Sequence, residues 1–150
     1  DSKCLMLRAT CAIPMFFPAI MINETPYFDG GICDPIPIRK AIEDGNEKHL
    51  IILTQVKGFQ KMPSKKNVYV AHRLKKKFPK MAEPLLNRHL LYNETVQFCE
   101  ELEANGKAII IRPSQPIESF EKDVAKLRMA YEDGYKQAVE NIEKIKKLFV

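Results

Sequence analysis

Asp29 follows two aromatic residues and precedes two glycines in the run Tyr27-Phe28-Asp29-Gly30-Gly31, and a second acid, Asp34, stands five positions on. A carboxylate at the end of an apolar stretch can orient or deprotonate a nucleophile. Carboxylates are weak bases in water, so this work requires direct contact with the group served and partial desolvation, which Tyr27 and Phe28 can supply. Paired glycines let the backbone turn through conformations closed to other residues and leave the carboxylate clear of neighbouring side chains. Taken alone, the tripeptide reads as turn chemistry, with the Asp side chain bonded to nearby backbone N–H groups. Asp34, before Pro35, reads as a loop or helix-start residue. Asp29 and Asp34 have no third ligand at metal-site spacing. Cys4, Cys11, Cys33 and Cys99 form no Cys-x-x-Cys pair and no zinc spacing with His49, His72 or His89. No metal or cofactor is expected. Each cysteine lies among apolar neighbours, which suggests buried free thiols.

The elements that would position Asp29 are short. Leu5 to Ile13 is apolar and helix-compatible, with Pro14 as its stop. Ala19–Ile22 and Pro26–Phe28 read as two strands around Asn23-Glu24-Thr25. Phe16, Phe17, Ile20 and Ile22 read as core, or as the lining of an acyl-chain pocket. Ile38–Glu43 reads as a helix, with Pro37 suited to its first turn and Gly45 to its stop. His49–Thr54 and Ala108–Ile111 are continuous aliphatic runs, as in parallel strands covered on both faces. Helices are expected over Val68–Lys77 and roughly Pro84–Ala104, the second with a possible break near Asn93 and a stop at Asn105-Gly106. Phe120, Val124, Leu127, Tyr131, Ala138, Ile142, Ile145 and Phe149 recur at helical spacing. Ser119 is placed to cap that helix, whose apolar face should pack on something.

This order argues for an α/β layer architecture with a mixed or mostly parallel sheet and C-terminal helices. Two doubly covered strands are few for such a sheet. The chain also opens at Asp1 rather than Met, and the expectation is a later portion of a longer polypeptide. Its 150 residues suffice for an ordinary core. No apolar run approaches the length of a membrane span, and no signal-peptide pattern opens the chain.

The net charge is +5, and Lys57 to Lys80 carries nine Lys or Arg and no acid. Such a stretch can be a solvated face, or can steer toward an anionic membrane surface. Nucleic acid is not expected as a partner, since Phe59, Tyr69 and Phe78 are the only aromatics there. Met62, Met81, Leu85 and Leu86 could form a membrane-facing lip, with ordinary helix packing as the simpler reading.

A longer window sets the acid in context. Arg8-Ala9-Thr10-Cys11-Ala12-Ile13-Pro14-Met15-Phe16-Phe17-Pro18, then Tyr27-Phe28-Asp29-Gly30-Gly31, then Asp34-Pro35-Ile36-Pro37-Ile38 resembles the second half of the patatin-like phospholipases. That family shows R-A-S-x-A-x-P-x-x-F-P, a strand ending in D-G-G or D-G-A, and an N-x-P segment leading to a helix. Thr10 stands where Ser is frequent and Pro35 where Asn is common, and neither position carries the dyad chemistry. The resemblance covers roughly residues 5–55. The tail segments Ile111-Arg112-Pro113-Ser114 and Tyr131-Glu132-Asp133-Gly134-Tyr135 resemble the C-terminal region of a bacterial subgroup.

The resemblance implies a three-layer α/β/α fold. Residues 1–55 would form the later half of its catalytic domain, and residues 56–150 a helical and α/β region packed on it. It implies hydrolysis of a lipid or other ester by a Ser-Asp dyad, with Asp29 as the base and Gly30 and Gly31 shaping its turn. Arg8 could support the site by holding a carboxylate or phosphate, or serve packing or a surface ion pair. Asp34 is the other site-supporting candidate. The serines are Ser2, Ser64, Ser114 and Ser119, and none lies in Gly-x-Ser-x-Gly. The family's nucleophile and oxyanion loop precede the D-G-G, so this chain alone is expected to be inactive without the missing N-terminal half. The expected location is cytoplasmic, with peripheral membrane contact. A non-enzymatic basic module that binds membranes or nucleic acid is the competing reading.

Overall fold

The computed structural model describes residues 4–150. The chain falls into two compact units, Asp1–Pro37 with Lys61–Glu94 and Ile38–Gln60 with Thr95–Val150. The α/β class and the parallel pairing expected from the sequence are both present.

The first unit begins with helix α1 (Leu5–Thr10). It stops before the expected Ile13 because Cys11 leaves helical geometry (φ −103°, ψ 2°) and its N–H closes back on Arg8 O. Pro14 also disfavours helical geometry at the residue before it. Strands β1 (Ile20–Ile22) and β2 (Thr25–Tyr27) pair antiparallel, with Ile22 opposite Thr25. Their two-residue link, Asn23-Glu24, has φ of 47° and 63°. Positive φ at both positions is what a tight hairpin with twisted strands requires. Phe16 and Phe17, read as core, are instead exposed.

Helix α3 (Lys65–Leu74) and the first half of α4 (Ala82–Ala104) complete this unit. Ser64 caps α3 by accepting from Asn67 N. Helix α4 runs unbroken through Asn93. The Asn93 amide turns away from its own helix and bonds the Lys61 backbone, accepting from N at 2.8 Å and donating to O at 3.0 Å. It therefore does not compete with the helical ladder. The core joins Ile32, Ala71 and Leu85, with Phe28, Val70, Leu74, Met81 and Ala82 packed around them.

In the second unit, α2 (Ile38–Glu43) ends in a Schellman cap. Gly45 N donates to Ile42 O, Asn46 N donates to Ala41 O, and Gly45 takes φ 89°. The second half of α4 ends in the same way through Gly106 (φ 68°), with Lys107 N donating to Leu102 O. Strands β3 (His49–Ile52) and β4 (Ala108–Ile111) pair parallel in register His49–Ala108. The expectation that both faces of β3 are covered fails. His49 and Ile51 are buried, while Leu50 and Ile52 are exposed, Ile52 at 71 %. Arg39 stacks over Phe98 at 4.6 Å and ties α2 to α4.

Helix α5 (Val124–Leu148) departs from its expected form in two ways. Asp123, not Ser119, caps it by accepting from Ala125 N and Lys126 N. Phe120 at φ 66° and a Glu121 carboxylate bonded to Lys122 N and Asp123 N form a separate turn just upstream. Second, α5 buries no residue, and Leu127, Tyr131 and Ile142 of its apolar stripe are exposed. Its half-buried side is mixed, running through Ala130, Asp133, Gln137, Asn141, Ile145 and Leu148, so of the expected stripe Ile145 is partly covered. No helix among the described residues is long and apolar enough to cross a membrane.

Candidate functional site

Two preceding segments, strand β2 and the stretch just after α1, fix the Asp29 turn. Strand β2 delivers the chain to Phe28, whose ring meets Phe78 edge-on at 5.1 Å. Asp29 N then donates to Ala12 O at 3.0 Å, just after α1. Ala12 is buried, so the turn hangs from a fixed point. The chain continues as a 3-10 turn, Gly30–Ile32, and Ile32 drops into the core. Apolar anchors thus bracket the acid on both sides.

Asp29 is half-buried and starts the turn as its cap. Its Oδ1 accepts from Gly31 N at 2.7 Å. The turn chemistry and the exposed-carboxylate reading coexist, because only one oxygen is tied down. No hydrogen bond among the described residues engages Oδ2. The glycines have a different purpose from the expected one. Neither takes positive φ, which is reserved to Gly45, Gly58 and Gly106. Space decides instead. A Cβ on Gly31 would sit 3.0 Å from Asp29 Oδ1, and one on Gly30 would sit 3.1 Å from Thr10 Oγ1. The stretch around Thr10 and Ala12 therefore lies directly against the Asp-Gly-Gly turn.

The other candidates are placed as follows. Arg8 is exposed on the last turn of α1, and no hydrogen bond or ion pair joins it to Asp29. Asp34 is exposed, and its contribution is a backbone N–H donated to Gly30 O at 2.9 Å, which closes the turn. The residue that the sequence did not point to is Arg88 of α4. Its Nε donates to Gly31 O at 2.7 Å. The Gly31 residue is thus held at both ends, by Asp29 at its N–H and by Arg88 at its C=O.

A second serine–carboxylate contact lies in the other unit. Ser114 Oγ donates to Asp133 Oδ1 at 2.6 Å, and Ser114 N donates to Asp133 Oδ2 at 2.8 Å. These bonds hold the Asp133 carboxyl below its ordinary value. They edge a cavity of about 360 Å³ with Ile117, Leu127 and Met129 in its wall. Both oxygens are spent on one residue and the acid is weakened as a base, so the pair works as a latch between a loop and α5.

The cysteines do not supply a thiolate. Burial pushes the fully buried Cys99 thiol up to about 11, against the opposing pull of Arg112. Burial, and then Asp34, raise Cys33. All four thiols are free, and Cys4, Cys11 and Cys33 are exposed rather than buried as expected. Among the described residues no group of three or more His, Cys, Asp or Glu could hold a metal ion.

No curated protein and no solved structure matches the chain. Two family models match parts of it. Residues 78–150 match Domain of unknown function (DUF6363). Residues 4–42, which contain α1, the hairpin and the whole Asp29 turn, match Patatin-like phospholipase, and relate that part of the chain to a hydrolase family.

Proposed function

We propose that this chain supplies the carboxylate of a patatin-like serine acyl hydrolase that cleaves lipid esters. Asp29 is the base, and the serine and oxyanion donors lie outside these 150 residues. The observation that carries the reading is the half-tethered state of Asp29 within the matched stretch. Gly31 N–H orients the carboxylate, and Oδ2 is open to a hydroxyl. In this role Asp29 takes the proton as the serine oxygen attacks the ester carbonyl, then passes it to the departing alkoxide. Water, deprotonated by the same carboxylate, attacks the acyl-serine carbonyl, and the carboxylate returns that proton to the serine oxygen as the C–O bond to serine breaks and the acid leaves. Phe28 and Phe78 dry one side of the turn. The carboxylate by itself provides neither nucleophile nor oxyanion stabilisation, so the chain alone is inactive.

The test is hydrolysis of a short p-nitrophenyl ester by the protein that also carries the nucleophile. Asp29→Asn lowers kcat by about a thousandfold, the scale of a lost general base. Full activity in that variant rules Asp29 out as the base, and turnover by the 150-residue chain that Asp29→Ala abolishes rules out the need for an outside serine.

A basic surface accompanies this reading. Met62, Val68 and Tyr69 are exposed beside Lys65 and Lys66, an arrangement suited to the interface of an anionic membrane. Sedimentation with anionic vesicles that weakens as salt rises supports it, and equal binding to neutral vesicles rules out the charge contribution. If that binding occurs in a protein with no esterase activity, the non-enzymatic module takes the place of the hydrolase reading.

A further inference from the structure

One cation, Arg88, stands beside the Asp29 turn, and a second, Lys61, meets the same helix face. Arg88 is half-buried, and with its Nε on Gly31 O it places Nη2 3.7 Å from the point where a side chain at Gly31 would begin. Asp29 Oδ1 is 3.0 Å from that same point. Lys61 reaches the region from the segment before α3. Its backbone is fixed at N–H and C=O by Asn93, and its Nζ sits 4.7 Å over the Tyr92 ring. Arg88 and Tyr92 are four residues apart on α4, so they share a helix face. The ammonium and the guanidinium are thus borne on the same face of α4.

Among the described residues, no ion pair engages either cation. Burial, and then the charge of Arg88, push the Lys61 ammonium below its ordinary value. Like charges held together in a partly dry place destabilise each other until an anion joins them. Asp29, Arg88 and Lys61 together carry a formal charge of +1. A monoanion matches that balance better than a dianion. The guanidinium uses Nε on the backbone and keeps its terminal nitrogens for oxygen acceptors, a geometry suited to phosphate or carboxylate.

We propose that Arg88 and Lys61 form a phosphodiester-binding site beside the Asp29 turn, which takes the headgroup phosphate of a phospholipid or a free phosphate. This deepens the hydrolase reading and rests on it for the purpose of the site. Binding itself requires neither serine nor turnover, so the two ideas can fail separately.

The test titrates the 150-residue chain with dimethyl phosphate, glycerophosphocholine and inorganic phosphate, followed by calorimetry and by amide NMR. Saturable binding of the two diesters is expected, with the Gly31 amide among the signals that move. Arg88→Gln and Lys61→Gln should each weaken it about tenfold, the scale of one charge-assisted hydrogen bond. Lys61→Gln leaves both backbone bonds to Asn93 in place, so it tests charge even where Arg88→Gln disturbs the turn. The double variant Lys136→Gln, Lys146→Gln on α5 should change affinity by less than about twofold, as for exposed charges. Strong preference for inorganic phosphate overturns the headgroup assignment. Absence of saturable binding by all three probes, or affinity unchanged in both Arg88→Gln and Lys61→Gln, overturns the site. Diester binding in a protein whose Asp29→Asn variant keeps full esterase activity removes Asp29 as the base and leaves the site standing.

Discussion

Asp29 and Asp133 are both hydrogen-bonded carboxylates, but they are used to different extents. Asp133 spends both oxygens on Ser114, one on the hydroxyl and one on the backbone N–H. Asp29 spends one oxygen on Gly31 N. Their supports differ as well. Asp29 is flanked by Phe28, packed on Phe78, and by Ile32, buried in the core. Asp133 rides on α5, a helix that buries no residue. A Ser-Asp contact at 2.6 Å therefore does not identify a catalytic dyad. An acid that must accept a proton needs an unspent oxygen and a rigid mount, and Asp29 has both.

The largest effect that can break this comparison is on activity. In the protein that carries the nucleophile, Asp29→Asn should cost about a thousandfold in kcat, while Asp133→Asn should leave kcat unchanged. A reversal of the two would transfer the chemistry to the Ser114 latch.

The next effect is on stability. Ile32 is 5 % exposed in a core with Ala71 and Leu85. Ile32→Ala should therefore destabilise the chain by about 2–4 kcal/mol, the usual result of truncating a buried aliphatic residue. Leu127 on α5 is exposed, and Leu127→Ala should shift stability by no more than about 0.5 kcal/mol. Urea unfolding of the two variants decides it. Equal losses would mean that α5 packs its stripe after all and that the contrast between the two mounts is false.

What was legible in the sequence was local. Gly45 and Asn105-Gly106 marked helix ends because a left-handed C-cap needs a residue without Cβ cost, and both ends close as Schellman caps. The aliphatic runs 49–54 and 108–111 declared a parallel pair through composition alone. The strand pair at 20–27 was readable from a short turn between apolar runs. What was not legible depended on partners far along the chain. Nothing near Gly31 announces Arg88, which stands 57 positions away on a helix whose own pattern is unremarked. The purpose of the two glycines was misread for a related reason. Backbone freedom can be guessed from a Gly-Gly pair, but the 3.0 Å and 3.1 Å approaches of Asp29 Oδ1 and Thr10 Oγ1 exist only once the chain has folded. Burial followed the same rule. Periodicity marked the apolar side of α5 and the aliphatic character of β3, and it carried no information on whether a neighbour would arrive to cover them.

The smallest effect concerns the latch, and pH reaches it without a mutation. Two hydrogen bonds from Ser114 hold the Asp133 carboxyl below its reference value of 3.8. A carboxyl lowered in the folded chain contributes stability above its unfolded value, and that contribution is lost as pH falls through the folded value. The latch should thus be closed at pH 5 and above, and should open only as pH falls below 3.8. The Asp133 carboxyl lies at the surface of α5, so solvent screens the gain and the change in overall stability should be small. The Ser114 amide is the sensitive reporter, since it loses its acceptor when the carboxyl protonates. Its NMR shift should titrate in step with the Asp133 carboxyl carbon. In Asp133→Asn the acidic step at Ser114 should vanish while those at other exposed acids persist. A Ser114 amide that titrates unchanged in that variant would show that the latch is set by the loop itself, and the two aspartates would then differ in mount alone and not in the use of their oxygens.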